Sequence, residues 1–409
     1  MKSYEGQATS VLHTNGFNKI YPSVLGVLRF SRELNVIKLK KAIARLSETI
    51  PQIFCRYEIN DNRFYPVVTD INEVFHELSF DENPYDFSLD FQEKPQLQVF
   101  YQPYQKGYQL IFIVSHIFSD GAGLKQIMSH LVNLYNEPEI ATQINHQNLR
   151  SVLDNLPNKT FTLPSKANHP DVTLELPFPE TDLVKYSDVH QVIYPQVKFL
   201  KVHEKSKKIG FTINDILLTA YMKMLAKYNP KAENIPLSCP IDTRQFLQEN
   251  EKQKLYIGNF TARYSPKPSV KFEESFITSC RKVNEEMTEL KKQYQFLEST
   301  LTLIDNYESK PLDELRKIAD ENYHIKDISY TNMSYFKSEK YTFLGNTLID
   351  CFTSGAFRQA PMFQICFSTF EGRLNLVANV IGDQIQHEFA VKFLNETIDQ
   401  LDNFLKNDL

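Results

Sequence analysis

His116 and Asp120 stand four residues apart in Ser115-His116-Ile117-Phe118-Ser119-Asp120-Gly121, and Gly123 follows closely. Imidazole has an ordinary pKa of about 6.5, close to working pH, so a neutral histidine here could take a proton from an attacking nucleophile. Whether it can do so depends on the elements that carry it. The apolar run Leu110 to Val114, after the turn-like Gln105-Lys106-Gly107, predicts a buried strand. Leu124, Ile127, Met128, Leu131 and Tyr135 recur at helical spacing and predict a helix to about Asn136. The histidine thus leaves a strand tip, and an aspartate and two glycines turn the chain into a helix. A rigid strand positions such a side chain while the loop keeps it accessible. Gly121 is expected to take a backbone conformation closed to other residues.

The same residues admit other readings. The plainest is a buried histidine satisfied by backbone. A His and an Asp at i and i+4 could share a metal on a helix face, but the strand and glycines argue against helix there, and no cluster supplies further ligands. Gly121-x-Gly123 lies where a dinucleotide-binding turn would, but Gln126 replaces the third glycine. No G-x-S-x-G elbow for a serine hydrolase occurs. Cys239 lies in an apolar strand context with nothing to lower its pKa, and reads as core.

The chain has 409 residues, 42% hydrophobic and 23% charged, with a net charge of −5 and a pI of about 6.1. It can bury a large core, and the absence of a basic block argues against nucleic acid. The polar N-terminus lacks a signal-peptide core, and no apolar run could span a bilayer. The five scattered cysteines read as reduced thiols, so a cytoplasmic location is expected. Trp is absent, so large apolar surfaces must be built from 30 Phe and 21 Tyr.

Strands are predicted at Val24 to Phe30, Leu97 to Tyr101, Gln191 to Leu200, Ile235 to Ile241, Asp327 to Asn332, Thr342 to Ile349, Phe363 to Thr369 and Leu374 to Ile381, with a hairpin from Ile53 to Val68. Helices are predicted from Asn35 to Pro51, from the capping pair Thr212 and Asp215 to Tyr228, over roughly 271–306, from about 312, and from about Phe389. The proline-punctuated segment 137–188, with Pro157, Pro164, Pro170, Pro177 and Pro179, reads as a connection, giving subdomains 1–175 and 176–409.

At this point the motif resembles the H-x-x-x-D-G signature of the coenzyme A-dependent acyltransferase superfamily, which includes chloramphenicol acetyltransferase, alcohol acyltransferases and condensation domains. Further landmarks resemble it in order along nearly the whole chain: Ile50-Pro51-Gln52-Ile53, Pro240-Ile241-Asp242-Thr243-Arg244, Ile257-Gly258-Asn259, Ser329-Tyr330-Thr331-Asn332 and Gly372-Arg373-Leu374-Asn375-Leu376. Two departures stand out. Ser115 replaces the second histidine usual in condensation domains, and the D-F-G-W-G box of the plant branch is missing.

The resemblance implies an α/β (α+β) protein of two chloramphenicol acetyltransferase-like sandwich subdomains, mixed sheets flanked by helices, with an active-site tunnel between them. It implies His116 as general base in acyl transfer from acyl-CoA to a hydroxyl or amine, without a covalent intermediate. It implies Asp120 paired with Arg244 and turned away from His116, with Gly121 completing the loop. Thr331, Asn332, Asn259 and Ser115 are the candidate oxyanion or substrate contacts, Asn259 also as a brace of the channel. No metal and no permanently bound cofactor are expected. Acyl-CoA is the expected cosubstrate, and a small alcohol or amine the acceptor. The alternatives are a carrier-protein-dependent condensation catalyst and a non-catalytic scaffold.

Overall fold

The computed structural model describes residues 2–15, 17, 19–156 and 173–406. Pro157, Pro164 and Pro170 lie outside the described residues. Two large hydrophobic cores lie beneath two mixed sheets. The first sheet is built around Gly107–Ser115, which pairs antiparallel with Ser23–Phe30 on one side and Leu97–Tyr104 on the other. Its central residues Leu110 to Val114 are buried, and helices Val36–Thr49 and Gly121–Asn136 pack on one side of the sheet. Helix Val36–Thr49 starts where the Asn35 side chain accepts the Lys38 amide hydrogen bond, and ends before Pro51.

The second sheet contains Ile328–Phe336, Phe363–Phe370, Arg373–Gly382 and Tyr186–Tyr194. Helices Ile213–Tyr228 and Gln384–Lys406 cross one face of it, and Phe393, Leu394 and Leu401 seal that layer. Thr212 and Asp215 form the expected reciprocal cap. Among the described residues no helix is long and apolar enough to cross a membrane.

Tertiary pairing modifies the sequence-based outline. The expected division at 175 is not a clean cut, because Leu348–Ser354 pairs antiparallel with Ser23–Phe30 and completes the first sheet from the second half. That strand also lies several residues beyond the expected Thr342 to Ile349. The N-terminal helix Ala8–Thr14 buries Val11 and Leu12 against Leu303, Leu315 and Ala319 of the second half. The expected strand Gln191 to Leu200 stops at Tyr194. Pro195 then opens a helix, Gln196–Lys208, which buries Phe199 and Val202 and leaves Val197 and Leu200 exposed. Those two exposed apolar residues gave the segment its strand-like character. Of Ile235 to Ile241, only the last three residues enter a ladder, as part of the strand Cys239–Asp242 paired with Thr261–Tyr264. The helical stretch 271–306 breaks after Phe276–Lys292, where Tyr294 adopts a left-handed φ of 51°.

Candidate active site

The motif strand delivers His116 at its tip, and the helix Gly121–Asn136 begins directly after Asp120. Asp120 caps that helix by accepting the Gly123 amide at 2.7 Å. The same carboxylate accepts from both terminal nitrogens of Arg244, each at 3.0 Å, from the Phe260 amide at 2.7 Å and from the Thr261 hydroxyl at 3.0 Å. Arg244 in turn donates Nε to the Tyr256 carbonyl, Nη1 also to Asp242, and Nη2 also to the Gly258 carbonyl, and lies over the Phe260 ring at 4.5 Å. All five of its N–H groups are used. Burial opposes ionisation of Asp120, but Arg244 and the amide donors more than offset it and hold the carboxyl below its ordinary range. The bond between the Asp120 amide and the Gly258 carbonyl, at 3.2 Å, ties the loop to the second half again.

This bridge fixes Asn259 beside the histidine. Asn259 Nδ2 donates to the carbonyls of His116 and Ile117, at 2.5 and 3.2 Å, which leaves Oδ1 facing His116 Nδ1 at 3.1 Å. An amide oxygen can only accept, so Nδ1 carries the proton and Nε2 holds the free lone pair. Burial pushes the His116 pKa below its ordinary value, although Asp120 pulls the other way. The ring is therefore neutral near pH 7.

His116 lines a cavity of about 1430 Å³ between the halves. Thr331 and Asn332, on the strand Ile328–Phe336, line it too. The Asn332 side chain is engaged with Asn214 and the Ser334 amide, so Thr331 is the freer of the two. Ser115 and Asn259 do not reach the cavity. Ser115 is fully buried and its hydroxyl accepts the Ile117 amide at 3.3 Å, so it supports the turn instead of contacting substrate. Asn259 acts through His116. Gly121 does not have the expected special φ. It is confined instead by Met333, whose Sδ and Cε lie within 2.6 Å of where a Cβ would sit.

Cys239 also lines the cavity, but burial pushes its thiol up to about 11, so it stays protonated. All five cysteines are buried and unpaired. Among the described residues, no group of three or more His, Cys, Asp or Glu is placed to hold a metal ion.

His13 was not legible as a site residue. Its ring stacks on His116 with centroids 4.1 Å apart and planes 19° from parallel. Burial, then His116 and then Arg263, push its pKa well below the ordinary value. It comes from a short N-terminal helix without a motif, so nothing in the sequence marks it.

No family model and no curated protein matches this sequence. Solved structures match over nearly all of it. Polyketide synthase associated protein 5 from Mycobacterium tuberculosis is 13% identical, with 99% of each chain covered and a TM-score of 0.68. The trichothecene 15-O-acetyltransferase TRI3 from Fusarium sporotrichioides is 10% identical, covering 98% of this chain and 94% of that one, with a TM-score of 0.65. The first condensation domain of the calcium-dependent antibiotic synthetase is 12% identical, covering 98% and 97%, with a TM-score of 0.63. The chain therefore has the fold shared by these proteins, an acetyltransferase and a condensation domain among them.

Proposed function

We propose that this protein is an acyltransferase that moves an acyl group from acyl-CoA to a hydroxyl or amine acceptor, an alcohol by preference. The observation that carries this reading is the orientation of His116, whose Nδ1 is committed to Asn259 and whose Nε2 is left free at a cavity large enough for two substrates. The acceptor oxygen or nitrogen attacks the thioester carbonyl as its proton passes to Nε2. The tetrahedral intermediate then collapses, the C–S bond breaks, and the proton returns to the departing thiolate. No covalent enzyme intermediate is needed, because the thioester is already activated. Thr331, which lines the same cavity, is the donor we assign to the oxyanion.

The cavity lining includes Lys125, Lys252, Lys254, Lys337 and Lys340, with Lys252 and Lys254 paired to Glu249 and Glu251 and Asp242 and Glu339 also in the lining. The lysines of this lining suit the phosphates of a coenzyme A donor. They also suit an acidic carrier protein. The condensation domain and the cyclization-docking bidomain among the similar folds make a carrier-bound thioester the second donor to test.

The test is thiol release from acetyl-CoA and longer acyl-CoAs with a panel of alcohols and amines. His116→Ala is expected to lower the rate by about 10²–10⁴-fold while leaving the melting temperature nearly unchanged. Turnover that survives this substitution would sink the mechanism, and no turnover with any acyl-CoA or acyl carrier would favour a scaffold. Comparing free acyl-CoA with an acylated carrier protein separates the two donors.

A further inference from the structure

The proposed reaction uses His116 and the bridge beneath it, but leaves a set of buried polar atoms in the same cavity unexplained. Arg358, in the short strand Arg358–Gln359, is only 7% exposed. Its Nη1 donates to the carbonyls of Lys326 and Asp327, at 2.6 and 3.3 Å, while its Nε is buried without a partner. Asp327, whose charge reaches it, pairs with Lys19 instead. Among the described residues no carboxylate lies within ion-pair distance of Arg358. Ser329 Oγ and His13 Nε2 are also buried and unpartnered, and all three residues line the cavity.

Two more cations complete this wall. The Arg263 guanidinium lies over the Tyr323 ring at 4.2 Å, with Nη1 donating to the His324 carbonyl, and Lys326, whose carbonyl accepts from Arg358, lines the cavity too. The Arg263 side of this wall is linked to the proposed base, since His13 stacks on His116 and meets Tyr323 edge-on at 5.8 Å. The wall is distinct from the lysines assigned to the donor. Lys125 bonds the carbonyls of Met333 and Tyr335, whereas Arg358 bonds those of Lys326 and Asp327. At the rise of an extended strand these points are roughly 20 Å apart.

Buried polar groups are normally satisfied, and a buried charge is costly unless paired. Burial pushes Arg358 down to about 10 and lowers Arg263 as well, so both charges are poorly solvated. An anion entering this recess would turn those costs into charge-assisted bonds, and a guanidinium edge fits a planar carboxylate.

We propose that this wall is the acceptor's anion subsite: the acceptor is a hydroxy- or amino-carboxylate, held through its carboxylate by Arg358 with Arg263 and Lys326 adding charge, while its nucleophilic atom lies at His116. The role of the bound molecule as acceptor rests on the acyl-transfer reading. The binding itself does not.

Calorimetric titration of the full chain without any donor tests it. The probes are a series of straight-chain ω-hydroxy carboxylic acids, their methyl esters, and adenosine 3′,5′-bisphosphate as the donor-like anion. The acids are expected to bind at least about tenfold more tightly than the esters, and Arg358→Gln is expected to erase that difference. Arg263→Gln, at a half-buried position, should reduce it and keeps the comparison available should Arg358→Gln fail to fold. His116→Ala should retain acid binding while losing turnover, so failure of the subsite and failure of the reaction are separable. Equal binding of acids and esters, absence of acid binding, or discrimination that survives both arginine variants overturns the proposal. Bisphosphate binding lost in Arg358→Gln, with the acids unbound, would assign the wall to the donor and overturn the acceptor assignment.

Discussion

Two arginines are equally deeply buried, Arg358 lining the cavity and Arg244 lying outside its lining, and the fold treats them oppositely. Arg244 has every N–H committed, to Asp120, Asp242 and two carbonyls of its own half. Arg358 is as deeply buried, yet its Nε has no partner and no carboxylate balances its charge among the described residues. A satisfied buried charge holds structure in place, since removing one member strands the other. An unsatisfied one adds little to stability and is available to a ligand. The locked side carries the proposed base, His116, and the open side holds the proposed acceptor subsite.

The largest expected contrast comes from replacing each arginine by methionine. Arg244→Met leaves Asp120 charged and buried, and should cost about 3–5 kcal/mol in urea unfolding. Arg358→Met removes an unbalanced charge, and should change stability by no more than about 1 kcal/mol. Similar losses in the two variants would erase the distinction between lock and subsite.

A smaller effect separates the two glycines of the turn. A Cβ at Gly123 would meet the Ser119 hydroxyl and, at 3.0 Å, the Gly258 backbone carbonyl on the locked side. A Cβ at Gly121 would meet only the flexible end of the Met333 side chain. Gly123→Ala should therefore lose about 1–3 kcal/mol, and Gly121→Ala distinctly less, in thermal unfolding.

Asn259 joins the two regions. Asn259→Ala frees the His116 ring to take the wrong tautomer, and kcat should fall about tenfold while KM changes little. A fall in melting temperature without that kinetic split would make Asn259 only a backbone brace.

The smallest effect is in pH. Burial lowers the pKa of His116 and of His13, so the acidic limb of kcat/KM should lie below the ordinary histidine value of about 6.5. As pH falls below that value the unfolded chain binds protons that the folded histidines resist, so stability also falls with pH there and is fully present above it. An acidic limb above about 7 would show that the ring is not held neutral by burial.

Much of the scaffold could be read locally. The strand to helix junction at His116, the Asn35 and Thr212 caps and the strands near 24–30, 97–101, 363–369 and 374–381 all follow from periodicity and capping within one stretch. The misjudged elements share a cause. Val197 and Leu200 are apolar but exposed, and Leu348–Ser354 was displaced because its partner strand lies more than 300 residues earlier. The Asp120–Arg244 contact agrees with what the motif's resemblance implies, whereas Ser115 proved to be a support of the turn.

The sequence by itself determined that a histidine would leave a buried strand, that an aspartate and two glycines would turn the chain into a helix after it, and where most helices and strands would start. Those outcomes rest on interactions between residues a few positions apart. Tertiary structure alone decided which imidazole nitrogen is free, because Asn259 reaches it across 143 residues, and that His13 would stack on it. It also decided that Arg244 would be satisfied and Arg358 would not. A buried charge is balanced by whatever distant segments fold against it, and periodicity and capping hold no information about which segments those are.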